Sequence, residues 1–306
     1  MIEINIGVVT DSHMGGYDKK IAEALKDEGV DAIAFLGDGP MNDEEGLLEG
    51  FFLYTLMDIY DKVGVPTYWL PGNYESFGVF RNLFTLIGNG PTHYRKPNII
   101  NAVEFGKHTV QKDGLELDLV FVPGVEEKPY RFDIADRERT GIEPKTRKYP
   151  ASKQIYIFNP NDLSSLVTRP EKTVILAHDP IRMDKDETPD WAERRMLDGV
   201  FNRPFKVIGP GVESLKKQGR GYPVFDHVGS KLMAKAVYTV GINMYLSGHI
   251  HNAMFVTDRS GNQIGYANFA SQIFGTPGPA QFGYYGIFTF REDGLAVLVR
   301  KNVLDL

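Results

Sequence analysis

Three near-continuous apolar runs fall within the first 70 residues: INIGVV at 4–9, AIAFL at 32–36 and TYWL at 67–70. Each is short enough to be a strand, and none alternates cleanly between apolar and polar. A strand that is apolar on both faces must be covered on both faces. The segments between the runs read as helices. Asp18 to Gly29 places Ile21 and Leu25 on one face. Glu44 to Val63 is long and amphipathic and is closed by Gly64 and Pro66, and Phe77 to Ile87 is closed by Gly88 and Gly90. Strand-helix alternation of this kind predicts a parallel sheet with helices packed against it.

Beyond residue 100 the pattern changes. Ala102 to Val110 and Leu115 to Val122, joined through Lys112-Asp113-Gly114, read as a hairpin. Thr173 to Leu176 and Met244 to Leu246 are further strands, and Ser230 to Val240 is a helix. Two more hairpins are expected, turning at 258–261 and 292–294. Two stretches lack periodicity. One is 126–153, within which residues 128–153 mix Lys128, Arg131, Arg137, Arg139, Lys145, Arg147, Lys148 and Lys153 with Tyr130, Phe132 and Tyr149, and Asp133, Asp136, Glu138 and Glu143 offset half of that charge. The stretch reads either as a substrate lid or as a solvated surface loop. Residues 180–226 are rich in Pro and Gly and read as a second, irregular insertion. The whole chain, 1–306, is expected to be one domain carrying these two insertions.

The ends of the apolar runs carry the chemistry. Asp11 and His13 follow the first, Asp38 the second and Asn73 the third. His178 ends the strand at 173, and His249 and His251 follow the strand at 244. Ligands of α/β sheets bind outside the carboxyl ends of the strands, so these residues are expected at one edge. Imidazole, carboxylate and amide oxygen without sulfur suit divalent Mn, Fe, Co, Ni or Zn. So many imidazoles disfavour Mg, and seven ligands exceed one tetrahedral zinc. Two metals sharing a bridging carboxylate use all seven. A pair about 3.5–4 Å apart can hold a hydroxide and clamp the oxygens of a phosphate.

The ordered set D-x-H, G-D, G-N, H and G-H-x-H, spanning Asp11 to His251, resembles the calcineurin-like metallophosphoesterases. The resemblance implies an α/β fold, a four-layer α-β-β-α sandwich of two packed mixed sheets flanked by helices, with the last strands, after His251, completing the second sheet. It implies that Asp11, His13 and His251 hold one metal, that Asp38 bridges, and that Asn73, His178 and His249 hold the other. Manganese is the favoured metal. The stretch at 226–251, with its H-x-G-S before the helix, is similar to the Icc-type subgroup. There His227 and Ser230 either meet a phosphate at the helix N-terminus or merely cap the helix.

One position departs from the family. Tyr74 stands where its members usually have the histidine that contacts the phosphate and protonates the leaving oxygen. A phenol with a reference pKa of about 10 stays neutral and is a poor acid toward an alkoxide at neutral pH. A phosphodiesterase is therefore expected, with Tyr74 or His227 touching the phosphate. The alternative is a non-catalytic scaffold of the same fold. His93 and His108 lack ligand spacing and read as surface or sheet residues.

Composition bounds the remainder. With no cysteine there is neither a disulfide framework nor a thiolate metal site, and a net charge of −6 disfavours broad nucleic-acid binding. The start MIEINIGVVTD has no basic region and no small-residue cleavage site, and no apolar run approaches the roughly 20 residues of a membrane helix. A cytoplasmic enzyme acting on a small phosphate ester is expected, with nucleotide-like substrates among the options and the oligomeric state open.

Overall fold

The computed structural model describes residues 1–13, 15–39, 48–72, 75, 77–103, 106–123, 163–183, 185, 189–197, 200–204, 222–227, 229–249, 256–264 and 268–305. For residue 77, and for 191–197, 200–204 and 222–227, only the backbone is described.

The first sheet has six strands in the order β15-β14-β1-β2-β3-β4. Its strands are β1 (Glu3–Val9), β2 (Ala32–Phe35), β3 (Thr67–Trp69), β4 (Ile99–Asn101), β14 (Tyr284–Arg291) and β15 (Ala296–Asn302). The first four run parallel, and β14 pairs antiparallel with both β1 and β15. The second sheet, β12-β13-β11-β7-β6-β5, comprises β5 (Lys107–Lys112), β6 (Leu115–Val122), β7 (Thr173–Ala177), β11 (Met244–Ser247), β12 (Val256–Thr257) and β13 (Ile273–Gly275). Its four inner strands are parallel and its two edges antiparallel.

Side-chain alternation explains why the apolar runs are nearly unbroken. Ile4, Ile6 and Val8 of β1 face a core shared with Leu117, Leu119 and Phe121 of β6 and with Val174, Leu176, Met244 and Leu246. The opposite faces bury elsewhere. Val9, Ile33, Phe35 and Trp69 pack against Ile21 and Leu25 of α1 (Asp18–Asp27), Leu53, Leu56, Met57 and Tyr60 of α2 (Glu49–Asp61), and Phe80 and Leu83 of α3 (Phe77–Asn89). Val120, Ile175, Ala177 and Tyr245 pack against Leu163 of the single-turn helix α4 (Leu163–Leu166) and against Met233, Ala234 and Val237 of α5 (Lys231–Thr239). Three apolar layers between four layers of elements make the expected α-β-β-α sandwich. Each large side chain buried in them contributes roughly 1.5–3 kcal/mol of transfer free energy.

Two expectations need correction. The strands after His251 do not all complete the second sheet: β12 and β13 do, whereas the β14–β15 hairpin joins the first. The reason is the edge of β1 away from β2, whose backbone N–H and C=O groups need a partner strand. In β14, Phe288 and Phe290 face the inter-sheet core while Tyr285 and Ile287 face the helices, so the strand matches β1 on both sides. The stretch 180–226 is also not wholly irregular. Strands β8 (Trp191–Leu197), β9 (Val200–Pro204) and β10 (Tyr222–His227) form a small antiparallel sheet in the order β10-β8-β9. The charged triplet Glu193-Arg194-Arg195 interrupts the period of two that would have marked β8. The helix expected from Glu44 is described from Glu49, and residues 40–47 and the stretch 126–153 lie outside the described residues. No helix among the described residues is long and apolar enough to cross a membrane.

Candidate metal centre

The loops that follow β1, β2, β7 and β11 meet where the two sheets abut. The chain leaves β1 through Thr10, leaves β2 through Leu36-Gly37, and passes straight from β7 to His178 and from β11 to Gly248-His249. Backbone hydrogen bonds knit these ends together: Asp11 N–H donates to Gly37 O (3.1 Å), His13 N–H to Asp38 O (3.0 Å) and Gly248 N–H to His178 O (3.0 Å).

Asp11, His13, Asp38, His178 and His249 are thereby brought together. One donor atom each from Asp11, His13 and Asp38 lie within 4.8 Å of one another, and so do donor atoms from Asp38, His178 and His249. Asp38 belongs to both groups. Asn73, Tyr74 and His251 lie outside the described residues. His227 ends β10 opposite Trp191, and its side chain is likewise outside them. Ser230 caps α5, its Oγ accepting from Met233 N–H at 2.9 Å. His93 is exposed on a short turn, and His108 sits on β5 against Tyr68 and Phe121, so both are away from this edge.

The backbone of the site is strained. Asp11 (φ 51), His13 (φ 43), Asp38 (φ 54) and His249 (φ 65) all adopt left-handed conformations. Each such residue costs on the order of 1–3 kcal/mol and persists where the surroundings over-determine it. Among the described residues Asp113, in the β5–β6 turn, is the remaining non-glycine example. Strain concentrated at the candidate ligands marks a site shaped for chemistry rather than for stability. The glycines of the motifs serve close approach. A Cβ on Gly248 would lie 1.8 Å from Thr10 Oγ1 and 2.9 Å from Asp11 Oδ2, and one on Gly72 would lie 2.3 Å from Asp38 Oδ1.

Hydrogen bonds orient the donors. His178, fully buried, donates Nδ1–H to Leu36 O at 2.8 Å, which leaves Nε2 facing Asp38 Oδ2 at 3.3 Å. A ring nitrogen tied to a carbonyl while the other faces the site is the usual second contact of a metal-ligating histidine. His249 presents Nδ1 to His178 Nε2 at 3.2 Å, and its backbone N–H donates to both Asp11 carboxylate oxygens at 3.1 and 3.0 Å. Thr10 Oγ1 donates to Asp11 Oδ2 at 2.6 Å.

The electrostatics follow from this crowding. Burial disfavours a charged His178, but the charge and hydrogen bond of Asp38, and then Asp11 and Asp179, outweigh it and push the imidazole up to about 10. Burial likewise pushes Asp38 upward, yet the charge and hydrogen bond of His178, helped by His13, hold its carboxyl below the ordinary value. The carboxylates of Asp11 and Asp38 therefore favour positive charge at this point, which is what a divalent cation would supply. The donor chemistry, the shared aspartate and the oriented Nε2 fit a pair of divalent ions.

One functional residue escaped the sequence reading. Glu75, fully buried, accepts N–H bonds from Asp38 (3.1 Å) and Gly72 (2.8 Å) on Oε2 and from Gly39 (2.8 Å) on Oε1. It staples the loop after β2 to the loop after β3. Burial first, and then the charge of Asp38, raise its carboxyl to about 7. A lone glutamate beside Tyr74 carries no spacing signal; its role is legible only once the loops after β2 and β3 are seen in contact.

The model of the calcineurin-like phosphoesterases matches residues 4–253. Among solved structures, one of TT1561 from Thermus thermophilus is 12% identical, with 99% of this chain and 100% of that chain covered and a TM-score of 0.51. A dimetal phosphatase from Danio rerio is 14% identical over 98% of this chain and 96% of its own, with a TM-score of 0.53. At such identities the likeness is one of fold. Comparison with curated proteins finds no match. With its two six-stranded sheets, its clustered donor residues and a family match over most of its length, the chain belongs to the calcineurin-like phosphoesterase family.

Proposed function

We propose that the protein hydrolyses phosphate esters with two divalent metal ions and prefers phosphodiesters to monoesters. One observation carries this reading: Asp38 is shared by the two groups of donor atoms. A carboxylate with two oxygens at such a junction suits a bridging ligand. Asp11, His13 and Asp38, with His251, would hold one ion. Asp38, His178 and His249, with Asn73, would hold the other, and Mn is favoured among the ions this donor set accepts. When bound, two such ions supply Lewis-acid activation of water and neutralise phosphate charge.

The chain's own groups do the rest. The Leu36 carbonyl keeps Nε2 of His178 turned to the site, and Glu75 fixes the backbone of Asp38. Tyr74 would donate a hydrogen bond to the phosphate but supply little acid catalysis. That favours esters with good leaving groups, and diesters over monoesters. The cations and aromatics of 126–153 favour a small, nucleotide-like ester. The same Tyr74 motivates the second reading, a non-catalytic scaffold that keeps its metals.

A panel of aryl and alkyl phosphomonoesters and phosphodiesters, assayed with Mn, tests the proposal. Diesters should turn over faster than matched monoesters, and aryl esters faster than alkyl ones. Tyr74→His should speed alkyl esters, toward the roughly 10²–10⁴-fold typical of a positioned acid. If His227 is the acid instead, His227→Ala should slow alkyl esters far more than aryl ones. Rates flat across leaving groups and insensitive to both substitutions would refute the account of Tyr74. Full metal loading with no hydrolysis of any ester would favour the scaffold.

A further inference from the structure

Beneath the loop carrying Asp11 and His13 lies a buried hydrogen-bond chain that the proposed chemistry does not use. Ser12 donates Oγ–H to Asp18 Oδ2 at 2.7 Å, and Tyr60 donates Oη–H to Asp18 Oδ1 at 3.0 Å. All three residues are buried. Asp18 opens α1, where a helix N-terminus favours negative charge. Tyr60 reaches it from α2, its ring wedged edge-on against Phe35 at 5.4 Å and Trp69 at 6.1 Å. Those two rings lie on β2 and β3, the strands that lead to Asp38 and Asn73.

Burying a carboxylate and two hydroxyls is costly unless each finds a partner, and packing alone would be served by apolar side chains. What this chain of bonds grips is Ser12, which stands between two left-handed residues, Asp11 (φ 51) and His13 (φ 43). From the site side the loop is tied to its neighbour by the Asp11–Gly37 and His13–Asp38 backbone bonds. From beneath, Ser12 is tied to Asp18. A loop clamped from both sides can hold two strained residues with their side chains aimed into one ion site.

We propose that Asp18 is a positioning residue for the Asp11–His13 half of the metal centre, acting through Ser12 and braced by Tyr60. The proposal rests on the two-metal reading above. It predicts a selective effect. Weakening the clamp should loosen the ion held by Asp11 and His13 and leave the ion at Asp38, His178 and His249 in place.

The test is titration of Mn into metal-free wild type, Asp18→Asn, Ser12→Ala and Tyr60→Phe, read by calorimetry and by electron paramagnetic resonance. An asparagine oxygen can accept from one hydroxyl but turns a donor toward the other. Wild type should bind two ions. Asp18→Asn and Ser12→Ala should bind one ion normally and the other about 10–100-fold more weakly, the range for losing a partner that orients a metal ligand. At one or two equivalents of Mn their spectra should show an isolated ion where wild type shows a coupled pair. Tyr60→Phe, which leaves the Ser12–Asp18 bond, should shift the same ion less. A merely structural network would lower the melting temperature of metal-free protein and leave both affinities alone. Wild-type affinities for both ions in folded Asp18→Asn and Ser12→Ala would overturn the inference while leaving the two-metal reading intact. Wild type binding fewer than two ions would overturn that reading and the inference with it. Should Asp18→Asn fail to fold, Ser12→Ala, which removes one hydroxyl, decides.

Discussion

Removing the Glu75 staple should cost both stability and metal. In Glu75→Ala, three buried backbone N–H groups lose their acceptor, those of Asp38, Gly39 and Gly72. A buried donor left unsatisfied costs about 1–3 kcal/mol, so the ceiling is about 3–9 kcal/mol. Water entering the new space lowers the figure. Against a usual total stability of about 5–15 kcal/mol, Glu75→Ala should sit near the edge of folding, with Asp38 no longer held in its left-handed conformation. Glu75→Gln is the informative partner. The folded carboxyl is raised from 4.5 to about 7, mainly by burial, so below that pH the wild-type side chain is neutral, as Gln is, although Gln turns an amide N–H toward a backbone donor that Glu75 accepts from. A raised folded value means that Glu75 contributes stability fully below about 4.5 and loses it as pH rises through about 7. Gln cannot titrate, so it should remove this part of the decline, while lying below wild type at low pH by about the 1–3 kcal/mol of a buried N–H left facing its amide nitrogen. Urea unfolding of metal-free protein across pH, followed by tryptophan fluorescence, measures both effects. Glu75→Ala as stable as wild type would refute the staple, and Glu75→Gln with an undiminished pH slope would refute the raised carboxyl.

Two further outcomes follow from the same geometry. His178 in metal-free protein is raised from 6.5 to about 10, so its stabilising contribution is complete below about 6.5 and is lost as pH rises through about 10. Metal binding needs the neutral imidazole and expels that proton, so Mn affinity should rise with pH while metal-free stability falls, with proton release visible by calorimetry in buffers of different ionisation enthalpy. Gly248→Ala would drive a methyl to 1.8 Å from Thr10 Oγ1; overpacking of this kind costs about 1–3 kcal/mol or more, and the variant should melt lower and retain less metal by elemental analysis.

Much of the fold was legible because burial on both faces leaves a plain mark. Ile4–Val9 and Ala32–Leu36 could be strands of a covered parallel sheet and little else, and β1 and β2 are that. Strands decided by pairing rather than burial were harder to read. The three-residue β4 is too short for any period to show, and β8 hides behind Glu193, Arg194 and Arg195. The destination of β14 depends on which edge of which sheet stands open, a question of tertiary contact. The candidate ligands were legible because chemistry restricts residue type at strand ends. Their supports were not. Glu75, Asp18 and Tyr60 work through backbone groups and hydroxyls brought together across 37 residues in one case and 42 in another, and no local spacing encodes such meetings. The roles of Asn73, Tyr74 and His251 rest on the motif alone.

The central claim is that one aspartate serves two metal ions, and metal stoichiometry tests it most directly. Protein stripped with chelator, reloaded with Mn and freed of excess ion should carry two ions per chain in wild type. Because Asp38 belongs to both donor groups, Asp38→Ala should lose both, while His13→Ala and His178→Ala should each weaken one. Two ions in wild type and none retained by Asp38→Ala is the expected result; an Asp38→Ala variant that keeps one ion at wild-type affinity would contradict the shared aspartate.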